Sequence, residues 1–209
     1  MTLIDFMLLK KKASAAAAHA MVQAGLRMTE KEAEKKLFDK YIKDIEGETV
    51  FQEFLKENNS YNERILAAAI NAYLKTKYQY LKPYPAVKPT LVKLRKQGIK
   101  LAVVTDAPRL KAFMRLDELG IADMFDFVIA REDAKERKPS PEPFKAALSK
   151  LKVKPEECLH IGDWPEMDVA GAKAAGMKTC LAKYGFHMGK YIKADFEIDK
   201  FEELLGVMG

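Results

Sequence analysis

A chain of 209 residues, 48% hydrophobic and 32% charged, holds enough apolar material for a sizeable core and is too balanced to be disordered. The formal net charge of +6 comes from Lys interspersed with Glu along helical stretches, with no basic stripe carrying interleaved aromatics, so nucleic acid is not expected as a partner. No apolar run reaches the length of a membrane span, and "MTLIDFMLLKKK" places its charges after the apolar stretch, unlike a signal peptide, so no membrane partner is expected.

In chain order, residues 7–24 lack Gly and Pro and read as a helix. Thr29 with Glu32 forms a capping box for a second helix ending by Gly47. Ser60 with Glu63 forms another box, opening a helix with an apolar face at Leu66, Ile70, Tyr73 and Leu74. This half predicts a bundle of about four helical segments. The rhythm changes at "LKPYPAVKP", residues 81–89. Val87, Leu91 and Leu94 mark a helix ended by Gly98, and "IKLAVV" (99–104) reads as a short strand. A helix follows Pro108, then "FDFVIA" (125–130) as a strand, then a helix capped by Ser140 with Phe144, Leu148 and Leu151 on one face. The strand "CLHI" (158–161), a helix over about 166–175, the strand "KTCLA" (178–182) and a last strand–helix pair, "ADFEIDKFEELL", complete the chain. Near-continuous apolar strands alternating with helices predict an α/β protein with a Rossmann-like parallel sheet covered on both faces. The two cysteines, Cys158 and Cys180, lie in strands and form no C-x-x-C, as in a cytoplasmic protein with reduced thiols.

Ligands of an open parallel sheet bind at the carboxyl ends of its strands. Thr105 and Asp106 follow the first predicted strand, Lys138 lies in the loop after the second, and Gly162, Asp163 and Asp168 follow "CLHI". Each piece alone also suits a bland role: Thr105, Asp106, Asp163 and Asp168 are good cap residues, and Lys138 is an ordinary loop lysine. Together they suit phosphate and magnesium. A hydroxyl and neighbouring amides hold phosphate oxygens, an ammonium neutralises developing charge, and carboxylates supply hard oxygen ligands. Gly162 is expected to let the backbone turn tightly towards Asp163.

These motifs resemble the haloacid-dehalogenase-like (HAD) superfamily, in its phosphatase branch with an inserted helical cap. Thr105 matches the second motif, Lys138 in "RKPSPEPF" the third, and "GDWPEMD", with Asp163 and Asp168, the fourth; "AGAKAAGMKT" is also typical. The resemblance implies an Mg²⁺-dependent phosphohydrolase for a small phosphorylated metabolite, a monomer or homodimer, working by phosphoryl transfer to an aspartate and hydrolysis by water. It implies catalytic Thr105, Lys138 and Asp163; phosphate binding by Thr105, Asp106 and Lys138; and metal binding by Asp163 and Asp168. It divides the chain into a remnant of the first motif (1–6), the cap (7–82) and the core (83–209).

The first motif of that family, a strand ending Asp-x-Asp-x-Thr, is not found here. In the favoured register Thr2-Leu3 and Asp5 match its tail and both aspartates fall before Met1, leaving the chain without its nucleophile. In the alternative, "TLI" is the strand and Asp5 the nucleophile, but Met7 then sits where the general acid belongs. The family places this strand centrally, between those leading to Thr105 and Asp163, so its loss would leave two rows of backbone groups unpaired unless residues 2–8 or a partner's strand fill the gap. As minor candidates, His160 suits a satisfied core histidine, His187 a loop position, Trp164 either the pocket mouth or loop packing, and Arg109 and Arg137 substrate anions or plain surface charge.

Overall fold

The computed structural model describes residues 2–43, 45–186 and 188–208. The chain divides into two compact units, residues 6–82 and residues 1–5 with 83–209, each described here by itself. Among the described residues, no helix is long and apolar enough to cross a membrane.

The 6–82 unit is all helical: α1 (Phe6–Gln23), α2 (Glu30–Lys43), α3 (Val50–Glu57) and α4 (Glu63–Tyr80). Small side chains on α1, Ala13, Ala17 and Ala18, are fully buried, which lets its neighbours approach closely, and Met21, Leu37, Phe54 and Leu55 fill the core. The predicted Thr29–Glu32 box forms reciprocally, with Thr29 N donating to Glu32 Oε2 (3.1 Å) and Glu32 N to Thr29 Oγ1 (3.3 Å). The second predicted box does not form. Asn62 caps α4, its Oδ1 accepting from Arg64 N (2.8 Å) and Ile65 N (3.4 Å), while the Ser60 hydroxyl donates to Asn58 O. Asn62 directly precedes the helix and so reaches its first free amides. Asn62→Ala should therefore destabilise this unit by about 1 kcal/mol in urea unfolding, and Ser60→Ala should leave it unchanged. The buried stripe of α4 also lies elsewhere than predicted: Ile65 and Ala69 are the buried residues and Leu74 is exposed.

In the second unit, α5 (Val87–Lys96) leads to β1 (Ala102–Val104), α6 (Arg109–Glu118), β2 (Phe127–Ile129), α7 (Glu142–Leu151), β3 (Leu159–Gly162), a single π-helical turn (Pro165–Val169) running into α8 (Ala170–Ala174), β4 (Lys178–Ala182), β5 (Phe196–Ile198) and the short α9 (Leu204–Val207). Every predicted strand is present: β1 and β2 are shorter than expected, β3 is shifted by one residue to end at Gly162, and β4 has the expected bounds. All pairings are parallel, and the class is α/β. The strands do not form one sheet. β1 pairs only with β2, and β3–β4–β5 form a separate three-stranded sheet, so β1 and β3 each have one edge outside any ladder among the described residues.

Residues 2–5 add no strand to either sheet. Ile4 makes an isolated antiparallel bridge with Pro83, Tyr84 N donates to Leu3 O (3.0 Å), and Asp5 directly precedes α1. The alternative register, with "TLI" as a sheet strand, has no counterpart in this arrangement.

Candidate active site

Both sheets present their carboxyl ends to one edge, and Lys138 ties them together. Its backbone N–H donates to Asp106 Oδ1 beyond β1 (3.2 Å), and its ammonium reaches Asp168 Oδ1 beyond β3 (2.7 Å). The side chains of Lys138 and Asp168 are only 14% and 7% exposed. Burial works against charge on both, but the opposite charge prevails. The Asp168 carboxylate holds the Lys138 pKa above its ordinary value despite desolvation, and Lys138 with His160 holds Asp168 well below the usual carboxylate range despite its burial.

Asp168 spends both oxygens on the protein: Oδ1 on Lys138, Oδ2 on Trp164 N (3.0 Å). Its place in the π-helical turn aims the carboxylate back at the strand end. That geometry corrects the role expected of Gly162. No left-handed backbone is needed there; a Cβ would lie 2.2 Å from Asp168 Cβ, so glycine is required for space. Asp163 is almost wholly buried and accepts at Oδ1 from Thr2 Oγ1 (3.0 Å).

Thr105 continues the β1 ladder through its N–H to Ile129 O (2.9 Å), and its hydroxyl accepts from Ala107 N (3.2 Å), the cap-like contact that the sequence allowed. Asp106 accepts from Lys138 N and its carbonyl from Arg131 Nε (3.1 Å). The structure thus links Asp106, Lys138 and Asp168 directly, with Thr105 next to Asp106 in the chain and Asp163 next to Trp164, whose amide bonds Asp168.

Two tyrosines at this edge carried no sequence signal. Tyr184 Oη donates to Thr2 O (2.7 Å), and its ring meets Tyr84 edge-on at 4.9 Å. Burial, with the negative charge of Asp5 and Asp163 nearby, pushes the Tyr84 phenol up to about 12; burial raises Tyr184 as well. Only their tertiary proximity to an N-terminal segment far away in sequence gives them a place here.

The minor candidates separate. His160 Nε2 is buried without a hydrogen-bond partner, 3.5 Å from Asp168 Oδ1, and the ring packs edge-on against Phe144 (4.8 Å); it is a core histidine, but not a satisfied one. Trp164 packs against the loop: a Cβ on Gly189, whose φ is +85°, would lie 2.7 Å from Trp164 Nε1. Arg109 pairs with Asp133 at 2.7 Å, and Arg137 is exposed. His187 lies outside the described residues.

Asp133 also meets Lys150 (3.2 Å) and Ala130 N (2.8 Å), and these contacts outweigh its partial burial and hold its pKa down to about 2. Because the folded-state value lies below the unfolded one, its contribution is complete above about pH 4 and is lost as pH falls towards 2. Asp133→Asn should cost about 1 kcal/mol at pH 7, after allowing for solvent screening, and should flatten the loss of stability between pH 4 and 2 in acid titrations followed by circular dichroism.

A hard divalent cation keeps several waters and needs one or two carboxylates. Asp163 can supply one; Asp168, expected as a second ligand, directs Oδ1 to Lys138 and Oδ2 to Trp164 N. Among the described residues, no group of three or more His, Cys, Asp or Glu side chains forms a ready metal cage.

Comparison with known proteins agrees with this architecture. The glyceraldehyde 3-phosphate phosphatase of Methanopyrus kandleri is 41% identical over 150 residues, covering 69% of this chain and 64% of that protein. The enzyme of the same name from Methanocaldococcus jannaschii is 33% identical over 198 residues, covering 92% and 86%. The chain thus spans a little under two thirds of the length of the Methanopyrus relative. Among solved structures, a HAD phosphatase from Thermococcus onnurineus superposes with a TM-score of 0.72 at 27% identity, over 98% of this chain and 91% of that one. A putative beta-phosphoglucomutase from Thermotoga maritima, at 23% identity, shares the fold with a TM-score of 0.77, over 99% and 94%. The family model for haloacid dehalogenase-like hydrolases matches residues 5–182, and the chain belongs to that family.

Proposed function

We propose that the protein is a phosphohydrolase of the HAD type for a small phosphorylated metabolite, with Mg²⁺ as its cofactor and the 7–82 segment as its cap. The names of its relatives make glyceraldehyde 3-phosphate the first substrate to test. The observation that carries this reading is the Asp106–Lys138–Asp168 bridge across the strand ends, with the buried Asp163 carboxylate beside it. Thr105 and the amides around it bind phosphate oxygens, Lys138 balances charge, and Asp163 ligates the metal with Asp168 behind it.

Among the described residues no strand lies between β1 and β3, so no strand-end carboxylate stands there to attack phosphorus. The 209-residue chain should therefore bind its ligands but turn them over negligibly. In calorimetry, Mg²⁺ should strengthen the binding of inorganic phosphate, and Asp163→Asn should weaken Mg²⁺ binding at least about tenfold, the 1.4 kcal/mol of one good ligand contact. Turnover of glyceraldehyde 3-phosphate or p-nitrophenyl phosphate should stay at background. Robust turnover that survives Asp5→Asn would refute the assignment of the missing nucleophile. The split sheet favours a second reading, a non-catalytic binding or assembly protein on the same fold. That reading predicts no coupled binding of Mg²⁺ and phosphate.

A further inference from the structure

We propose that His160 is a positioning residue for anion binding at this edge: its Nε2–H, idle in the ligand-free protein, takes over Asp168 Oδ1 when a phosphate draws the Lys138 ammonium to itself. The inference rests on the reading of this edge as a phosphate site and adds a residue to which that reading gives no part.

The observations converge on one oxygen. Asp168 Oδ1 accepts from Lys138 Nζ at 2.7 Å, while Oδ2 accepts from Trp164 N at 3.0 Å. His160 Nε2 lies 3.5 Å from the same Oδ1, about 0.6 Å beyond an ordinary N–H···O bond. That nitrogen is buried and has no hydrogen-bond partner. Buried polar atoms are nearly always bonded, so a nitrogen left idle this close to a carboxylate calls for an explanation.

The ring is held where it stands. His160 lies in the β3 ladder opposite Thr179 of β4, and the fully buried Phe144 meets the imidazole edge-on at 4.8 Å. Facing a carboxylate oxygen, the neutral imidazole carries its proton on Nε2, because the other tautomer would set a lone pair against the negative charge. The donor is therefore aimed and ready, and a carboxylate oxygen can accept it.

A phosphate changes what Asp168 needs. Lys138 has one ammonium for two anions. As that ammonium moves to phosphate, Asp168, only 7% exposed, keeps the Trp164 amide alone. Water has little access to it, and one neutral amide does not offset the desolvation of an anion. His160 has to close only a fraction of an ångström to supply a second donor. Lys138 can then serve the phosphate without stranding a buried carboxylate. His160 does not touch the phosphate; it acts through Asp168.

The test uses calorimetry of the 209-residue chain with inorganic phosphate and Mg²⁺, and two variants. His160→Leu retains the volume and removes the donor, whereas His160→Gln retains an N–H of similar reach. Phosphate binding should weaken about tenfold in His160→Leu, as expected for losing a hydrogen bond to a charged group, and should return to within about threefold of the wild type in His160→Gln. The affinity for Mg²⁺ alone should be unchanged in both. The thermal midpoint of ligand-free His160→Leu should be unchanged or higher, since no bond is lost there. In the wild type, nitrogen-15 NMR at neutral pH should show the His160 Hε2 proton shifting downfield and exchanging more slowly with water once phosphate is added; its loss in His160→Gln assigns the signal. Equal phosphate affinity in all three proteins, or an Nε2 signal that phosphate does not move, would overturn the proposal. A fall in thermal midpoint and Mg²⁺ affinity alongside phosphate affinity in His160→Leu would overturn it too, because that pattern marks a packing role. A wild type that binds no phosphate with Mg²⁺ present would remove the phosphate-site reading and the proposal with it, whereas the other adverse outcomes leave that reading standing.

Discussion

Replacing Lys138 with Met should destabilise the protein by about 3–5 kcal/mol, because it leaves a buried carboxylate without its counter-charge. The ammonium lies 2.7 Å from Asp168 Oδ1, and both side chains are largely shielded from water. Asp168 keeps its bond from Trp164 N, but one amide cannot offset the desolvation of an anion. For a chain of this length the loss corresponds to a fall in Tm of about 10 °C. Trp164, the only tryptophan in the sequence and the neighbour of Asp163, reports unfolding of this edge directly by fluorescence. The pH dependence identifies the cause. In the wild type the depressed Asp168 pKa means that the pair contributes fully above about pH 4 and less as the carboxylate is protonated in acid. Without Lys138, burial pushes that pKa up, the carboxyl takes a proton more readily, and the deficit of the variant should shrink between pH 7 and 4.5. Adding Asp168→Asn, which retains an oxygen for Trp164 N, should recover most of the loss. A double variant as unstable as the single one would mean that Lys138 stabilises by packing rather than by charge.

Phe144→Ala should cost about 3–5 kcal/mol, the range for removing a fully buried aromatic ring. The site cannot easily collapse. Gly171 on α8 already lies so close that a Cβ there would be 2.5 Å from Phe144 Cε2, and the ring also supports Val104, His160, Ala172 and Ala175. Because it floors both sheets, its loss should speed amide exchange on β1 and β3 together, whereas a defect confined to one sheet would leave the other protected. Phe144→Leu, which retains most of the volume, should cost less than about 1.5 kcal/mol.

How far the residues disclosed the outcome varies with the range of the interaction. The Thr29–Glu32 box was legible because both partners lie within one turn, and the apolar strands because their runs are continuous. Ser60 misled because the helix begins only at Glu63, so Asn62, directly before it, is the residue that reaches the free amides of Arg64 and Ile65. Lys10, in the run "KKK", reads as a solvated charge. It is instead buried, its ammonium 4.4 Å from the centre of the Tyr41 ring and near Phe6 and Tyr73, a cation–π arrangement assembled from three separate stretches of chain. Tyr184 similarly meets Thr2 across almost the whole sequence.

What the amino-acid order determined by itself was the alternation of strand and helix, hence the parallel α/β class, and the placing of Thr105, Asp106, Lys138, Asp163 and Asp168 beyond strand ends. Those features follow from local periodicity and chain direction. Only the tertiary structure decided which carboxylate is spent on Lys138, why position 162 has no room for a side chain, and that the strands form two sheets instead of one. These depend on distances between residues remote in sequence and on edges left without a neighbour, and neither is written in the spacing of residues along a single strand or helix.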